Sequence, residues 1–171
     1  MPSLFVIGGA RSGKSRYAQE RAETTGLSPM FIATAQAYDD EMRERIARHQ
    51  ADRGPEWQTV EAPLDLAQTI KAHGAPDRVV LVDCLTLWVS NLMLAERDIA
   101  AATGDLAEAL GGAKGPVILV ANEVGLGIVP DNALARRFRD AAGIVNQKVA
   151  ALADEVQFLA AGLPLTLKQN R

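Results

Sequence analysis

The sequence predicts an α/β fold, a mostly parallel sheet with helices on both faces and an antiparallel hairpin at its C-terminal end. Three observations lead there. Short apolar runs rich in β-branched residues recur along the chain, helical patterns lie between them, and the last two apolar runs are parted only by a few turn-forming residues. A strand buried on both faces reads as a continuous apolar run, and parallel neighbours need crossovers, which the helical stretches supply.

The elements follow in order. LFVI at 4–7 is the first strand, and helical spacing follows over 15–25. MFIATA at 30–35 is the second strand, and the helix predicted over 39–53 opens on Asp39 and Asp40, both suited to capping. A helix over 64–73 leads to the strand VVLVDC at 79–84, and 85–110 reads as one long helix. GGAKG at 111–115 is a loop before the strand VILVAN at 117–122. The helix over 132–153 has the clearest pattern. Leu134, Phe138, Ala141, Val145, Val149 and Leu152 recur every three or four residues as a core stripe, with Asp131 available as a cap. EVQFLA at 155–160 and LTLK, separated by Gly162, Leu163 and Pro164, form the hairpin. No internal repeat, low-complexity tract or long linker interrupts the series, so residues 1–171 are expected to form a single domain.

Composition narrows the partners. Eighteen Lys and Arg against 21 Asp and Glu leave a formal charge of -3, too little and of the wrong sign to draw in nucleic acid or an anionic membrane. The single cysteine, Cys84, has no internal disulfide partner, the start MPSLFVIGG lacks a basic leader, and no apolar run reaches the roughly 20 residues of a membrane span. The expectation is a cytoplasmic protein without a membrane span and without a nucleic-acid partner.

Residues 8–15, GGARSGKS, satisfy G-x-x-x-x-G-K-[ST] between an apolar strand and a helix start. In such a loop the backbone of Gly8, Gly9, Ala10, Arg11, Ser12 and Gly13 curls until successive N–H groups point inward, toward a phosphate group. Lys14 reaches the β and γ phosphates, and Ser15 can ligate Mg²⁺. This is a P-loop, so a nucleoside triphosphate, GTP or ATP, is the expected substrate. A P-loop needs a second carboxylate for its metal, and Asp83, at the carboxyl end of VVLVDC, is the candidate. The other reading of Asp83 is a cap for the helix starting at Leu85.

Three classes share this loop: a GTP-dependent switch, a small-molecule kinase, and a kinase that also transfers nucleotidyl groups. A common GTPase would carry Asn-Lys-x-Asp after a later strand, but here VILVAN runs on into Glu123, Val124 and Gly125. The helix over 39–53 bears on the third class. His49 shares a face with Met42 and Ile46, Arg45 and Arg53 lie four residues either side of it, and Arg48 precedes it. One reading is a half-buried histidine satisfied by a carbonyl, in a helix whose arginines serve Glu41–Arg45 and Glu44–Arg48 pairs. The other is a nucleophile, since neighbouring cations lower an imidazole pKa below about 6.5 and guanidinium groups offset charge gathering on phosphorus. The residues alone leave both open. They leave equally open whether Asn122 and Glu123 are site contacts or a turn. For Trp57, Trp88 and Tyr38 a place in the core is favoured over stacking on a ligand.

GGARSGKSR, IATAQAYDDEM, RIARHQADRGPEWQTVEAP, VDCLTLWVSNL and NEVGLGIVP occur in that order over nearly the whole chain. Together they resemble the bifunctional adenosylcobinamide kinase / adenosylcobinamide-phosphate guanylyltransferase family of cobalamin biosynthesis. The resemblance implies that His49 accepts GMP from GTP, that Lys14 serves the kinase step, and that Ser15 and Asp83 hold Mg²⁺. It implies further nucleotide contacts at Ala33, Thr34 and Ala35, at Gln50, Ala51, Asp52 and Arg53, and at Glu61 and Asp83. Its substrates would be adenosylcobinamide and its phosphate, and relatives assemble as homo-trimers. The chain departs from the family's His-Arg-x-x-Arg-Pro, having Gln50 where an arginine is usual and Pro55 one place later.

Overall fold

The computed structural model describes residues 3–36, 38–51 and 53–170, except the side chains of Arg45, Arg48, His49 and Gln50. In chain order the elements are β1 (Ser3–Gly8), α1 (Lys14–Glu23), β2 (Ser28–Ala33), α2 (Asp40–Ala51), β3 (Gln58–Glu61), α3 (Leu66–His73) and β4 (Arg78–Asp83). There follow α4 (Leu85–Leu94), α5 (Ile99–Gly111), β5 (Val117–Asn122), α6 (Ala133–Leu152), β6 (Glu155–Ala160) and β7 (Leu163–Gln169). The strands form one sheet in the order β3-β2-β4-β5-β1-β6-β7. Every pairing is parallel except that of β6 with β7.

Side-chain alternation builds two cores from one set of strands. Phe5 and Ile7 of β1 join Val80, Val82, Val117 and Leu119 beneath α3 to α6, whereas Leu4 and Val6 join Val79, Leu81, Ile118 and Val120 beneath Ala18 and Ala22 of α1. Both faces of the sheet are thus apolar, which is why the strands read as continuous runs. None of the described side chains of α2 belongs to either core. A bidentate ion pair ties α1 to β6, with Arg21 Nη1 and Nη2 donating to Glu155 Oε1 and Oε2, each at 2.7 Å.

The structure departs from the sequence reading in four places. β3 was not anticipated. The stretch 85–110 is two helices, because the chain turns at Glu96 (φ 53°) and restarts at Asp98, whose Oδ1 accepts from the Ala101 N–H at 3.0 Å. Asn132, not Asp131, caps α6, accepting from the Ala135 N–H at 2.7 Å, and the ends of the apolar stripe are outside the core, with Leu134 52% and Leu152 49% exposed. The hairpin turns on Ala161 (φ 52°) and Gly162 (φ 78°), the two left-handed residues that a tight hairpin requires, so Leu163 and Pro164 already belong to β7. Pro164 is tolerated there because β7 is an edge strand. Among the described residues no helix is long and apolar enough to cross a membrane.

Candidate active site

The carboxyl ends of the parallel strands open toward one edge, and the P-loop, Ala33, Glu61 and Asp83 gather along it. β1 ends at Gly8, the chain curls through Arg11 (φ 52°) and Gly13 (φ 94°), and α1 begins at Lys14 with no side-chain cap. A helix start without a side-chain cap leaves its N–H groups for another acceptor. Lys14 is only 7% exposed, and its Nζ donates to the Gly9 carbonyl at 2.6 Å, across the mouth of the loop. Burial pushes the ammonium pKa below its ordinary value, and the neighbouring Asp83 and Cys84 partly restore it. A buried cation that meets a carbonyl rather than a carboxylate at hydrogen-bond distance suits a group that awaits an anion. Ser12 Oγ, also buried, has no hydrogen-bond partner among the described residues, which fits a loop built to wrap phosphate oxygens.

The hairpin braces this loop. Gly162 N–H donates to the Ser12 carbonyl at 2.9 Å, and a β-carbon on Gly8 would stand 2.5 Å from the Leu159 carbonyl oxygen. On the other flank the Glu123 N–H donates to the Gly8 carbonyl at 2.9 Å, and the Glu123 carboxylate accepts from the Gly125 N–H at 2.6 Å. Glu123 thus closes the turn after β5.

Sheet register puts three further candidates in one row, since Ala33 of β2 lies opposite both Glu61 of β3 and Asp83 of β4. Thr34 and Ala35 continue from the end of β2. Cys84 occupies the cap position of α4, so Asp83 is not that helix's cap and its half-buried carboxylate stays at the strand end near Lys14. Cys84 is a core residue, its thiol pushed up to about 11 by burial and then by Asp83.

The segment between β2 and β3 forms a roof beside the Glu61 end of this row. A cleft of about 470 Å³, in the range of small-molecule sites, opens between Ala35 and Gln36 on one side, Glu61 and Pro63 on the other, and Ile46 and Ala47 of α2 above. Tyr38 is exposed at its rim, with its hydroxyl donating to Gln36 Oε1, whereas Trp57 and Trp88 are buried as expected. Arg53 lies with its guanidinium carbon 3.5 Å from the centre of the Phe31 ring, Trp57 meets the same ring edge-on, and Trp57 Nε1 donates to Glu23 of α1 at 3.2 Å. This stack ties the chain after α2 to the P-loop helix. Ala51 is the exposed last residue of α2. The backbone of positions 49 and 50 belongs to α2, while the side chains of His49 and Gln50, and all of Asp52, lie outside the described residues.

Sequence reasoning passed over two buried polar side chains near this edge. Thr86 Oγ1 accepts from the Asn122 N–H at 2.7 Å, and Asn91 donates to two carbonyls from inside α4. Both lie within VDCLTLWVSNL, one of the stretches that carry the resemblance, yet neither is assigned a role there, because in the sequence both merge with an apolar helix.

The chain is similar to known proteins over nearly its whole length. A family model described as "Cobinamide kinase / cobinamide phosphate guanyltransferase" matches residues 4–167. The bifunctional adenosylcobalamin biosynthesis protein CobP of Pseudomonas aeruginosa is 49% identical over 167 residues, covering 96% of each chain. The corresponding protein CobU of Salmonella typhimurium is 42% identical over 182 residues, covering 96% of this chain and 99% of its own length. Among solved structures, the flagellar accessory protein FlaH from Methanocaldococcus jannaschii superposes with a TM-score of 0.56 at 12% identity, over 99% of this chain and 79% of its own. At that identity the likeness speaks to the P-loop NTPase-like fold alone.

Proposed function

The chain belongs to the cobinamide kinase / cobinamide phosphate guanyltransferase family, and from that premise we propose how one sheet edge serves its two reactions. It is a bifunctional enzyme of cobalamin biosynthesis, a kinase and a guanylyltransferase. The observation that supports the assignment of roles is the P-loop itself, with buried Lys14 and the buried Ser12 hydroxyl beside a row ending in Asp83, Ala33 and Glu61.

In the kinase step the aminopropanol hydroxyl of adenosylcobinamide attacks the γ-phosphorus of a nucleoside triphosphate and gives up its proton to solvent, and the diphosphate departs with the bridging oxygen. The N–H groups of Gly9, Ala10, Arg11, Ser12, Gly13 and Lys14, with the Lys14 ammonium, hold the phosphate oxygens as charge redistributes. Ser15 and Asp83 would hold Mg²⁺, since hydroxyl and carboxylate oxygens are the hard donors it takes while keeping phosphate and water as its other ligands. Among the described residues no cluster of three His, Cys, Asp or Glu offers an alternative seat. When bound, the ion neutralises charge on the phosphoryl oxygens.

In the second step the neutral imidazole of His49 attacks the α-phosphorus of GTP, the bond to the β-phosphate oxygen breaks, and pyrophosphate leaves. GMP is then held through a phosphorus–nitrogen bond. A phosphate oxygen of adenosylcobinamide phosphate displaces the imidazole, giving adenosylcobinamide-GDP. The supporting geometry is that α2 roofs the cleft through Ile46, and position 49 follows three residues later on the same helical face. Ala33, Thr34, Ala35, Gln50, Ala51, Asp52, Arg53 and Glu61 contact the nucleotide in this reading. The enzyme works in the cytoplasm as a homo-oligomer, a trimer by family resemblance; the exposed Leu126 and Ile128 beside the edge suit a surface that is covered in the assembly.

GTP labelled at the α-phosphate tests the covalent step. The wild-type protein is expected to retain acid-labile, alkali-stable label, and His49→Asn is expected to lose it while still phosphorylating cobinamide. Unlabelled wild-type protein with intact phosphoryl transfer would remove the covalent step, and labelled His49→Asn would move it to another residue.

A further inference from the structure

Asn91 lies inside α4, 6% exposed, and both N–H groups of its carboxamide are used on backbone carbonyls from two separate segments. Its Nδ2 donates to the Thr34 carbonyl at 2.7 Å and to the Pro63 carbonyl at 3.0 Å. Thr34 follows the last residue of β2, and Pro63 comes two residues after the end of β3. Everything between them, residues 35–62, is the excursion that carries α2 and roofs the cleft. The residues that line the cleft at its two sides, Ala35 and Pro63, are adjacent to one of these carbonyls or carry the other.

The surrounding bonds make this junction rigid. Thr34 Oγ1 donates to the Cys84 carbonyl at 2.8 Å and accepts from the Cys84 N–H at 2.9 Å, fixing the end of β2 to the end of β4. One turn before Asn91, Trp88 Nε1 donates to the Leu64 carbonyl at 2.9 Å. The two feet of the excursion are therefore fastened to α4, and Asn91 alone among the described side chains bonds both of them. A hydroxyl at this position has one donor and an apolar side chain has none, so only a two-donor group of this length serves both carbonyls.

We propose that Asn91 is a positioning residue for guanylyl transfer. By pinning both feet of the 35–62 excursion it sets where α2, and with it position 49, stands over the nucleotide. The proposal rests on the reading of His49 as the GMP acceptor. The kinase groups Lys14, Ser15 and Asp83 are held by β1, α1 and β4, and the hydrogen bonds of Asn91 go to Thr34 and Pro63 instead.

Two variants test it by single-turnover labelling with α-labelled GTP, alongside kinase turnover on cobinamide and thermal unfolding. Asn91→Leu keeps the approximate volume and removes both donors; Asn91→Asp keeps the shape and regains a donor only when protonated. For Asn91→Leu the labelling rate at saturating GTP is expected to fall on the order of 10²-fold, the effect of a misplaced reacting group, with half-saturating GTP and kinase turnover within about threefold of wild type. For Asn91→Asp the labelling rate, taken relative to wild type at each pH, is expected to rise as pH falls. Wild-type labelling rates in folded variants, or parallel loss of labelling and kinase turnover, would overturn the proposal. Should Asn91→Leu not fold, a pH-independent ratio in Asn91→Asp overturns it equally. Failure of the wild type itself to become labelled strikes instead at the acceptor role of His49, which separates the two claims.

Discussion

Gly8 and Gly9 are adjacent and identical in the sequence, and the fold makes them unequal. A β-carbon on Gly8 would lie 2.5 Å from the Leu159 carbonyl oxygen and 2.8 Å from Ser12 Oγ, whereas one on Gly9 meets nothing within 4 Å. Ser12 can rotate away, but the Leu159 oxygen belongs to the backbone of β6, whose register places Leu159 opposite Gly8. Reaching ordinary contact requires a retreat of about 0.9 Å, the difference between 2.5 Å and 3.4 Å. Overpacking of this kind costs about 1–3 kcal/mol, or roughly 2–12 °C in melting temperature for a domain of this size. A displacement near 1 Å at a phosphate site lowers a rate by up to about 10²-fold. Gly8→Ala is therefore expected to melt early and phosphorylate cobinamide slowly, while Gly9→Ala stays within about 0.5 kcal/mol of wild type in stability. Thermal unfolding and initial kinase rates measure both. Gly8→Ala with wild-type melting and turnover, or Gly9→Ala as destabilised as Gly8→Ala, would refute the account of the close approach.

Lys14→Met is expected to lower kinase turnover by about 10²-fold or more, yet to leave melting unchanged or raised, because the ammonium it removes is already disfavoured by burial; steady-state kinetics and calorimetry check the two halves. Glu155→Gln is expected to cost about 1 kcal/mol at pH 7, discounted for the partial exposure of Arg21. The Arg21 hydrogen bonds hold the Glu155 carboxyl below its ordinary value, so this contribution is present above the unfolded carboxyl pKa of about 4.3 and is lost as pH falls through the lower folded value. The stability gap between wild type and Glu155→Gln, followed by urea unfolding, should accordingly close below about pH 4.

The parts legible in the sequence are those whose physics is local. A strand buried on two faces must be a continuous apolar run, and a phosphate-wrapping loop must have glycines and a lysine at fixed spacing, so β1, β2, β4, β5, β6 and the P-loop could all be read directly. β3 could not. Its four residues, Gln58 to Glu61, are mostly exposed and carry one apolar side chain, and what makes them a strand is the neighbouring edge of β2. The break between α4 and α5 was hidden because Glu96 takes a left-handed conformation that no glycine advertises. Asp98, an ordinary cap signal before an apolar run, was visible and was passed over. Leu134 and Leu152 have the spacing of core residues, but the buried stripe continues from Val145 and Val149 to Ala153, which leaves Leu152 beside it, and Leu134 lies a turn before Phe138, where the packing begins. At the site, spacing supplied Lys14, Ser15 and Asp83 and raised His49 as one of two readings, while family resemblance chose the nucleophile reading of His49 and supplied Glu61 and the 33–35 stretch. Asn91 stands in one of the stretches that carry the resemblance, but the part it plays escaped both, since it depends on two carbonyls far from it in the chain.

Strand order has a consequence for how the enzyme comes into being. β1 is the first strand in the sequence, but its neighbours in the sheet are β5 and β6. On a growing polypeptide it therefore waits unpaired while β2, β3 and β4 can already associate, and the glycine turn hanging from it gains its supporting hairpin only when residues 159–162 have been made. The strands that carry the roof of the cleft can thus pair before its phosphate seat is complete, since that seat needs residues 159–162.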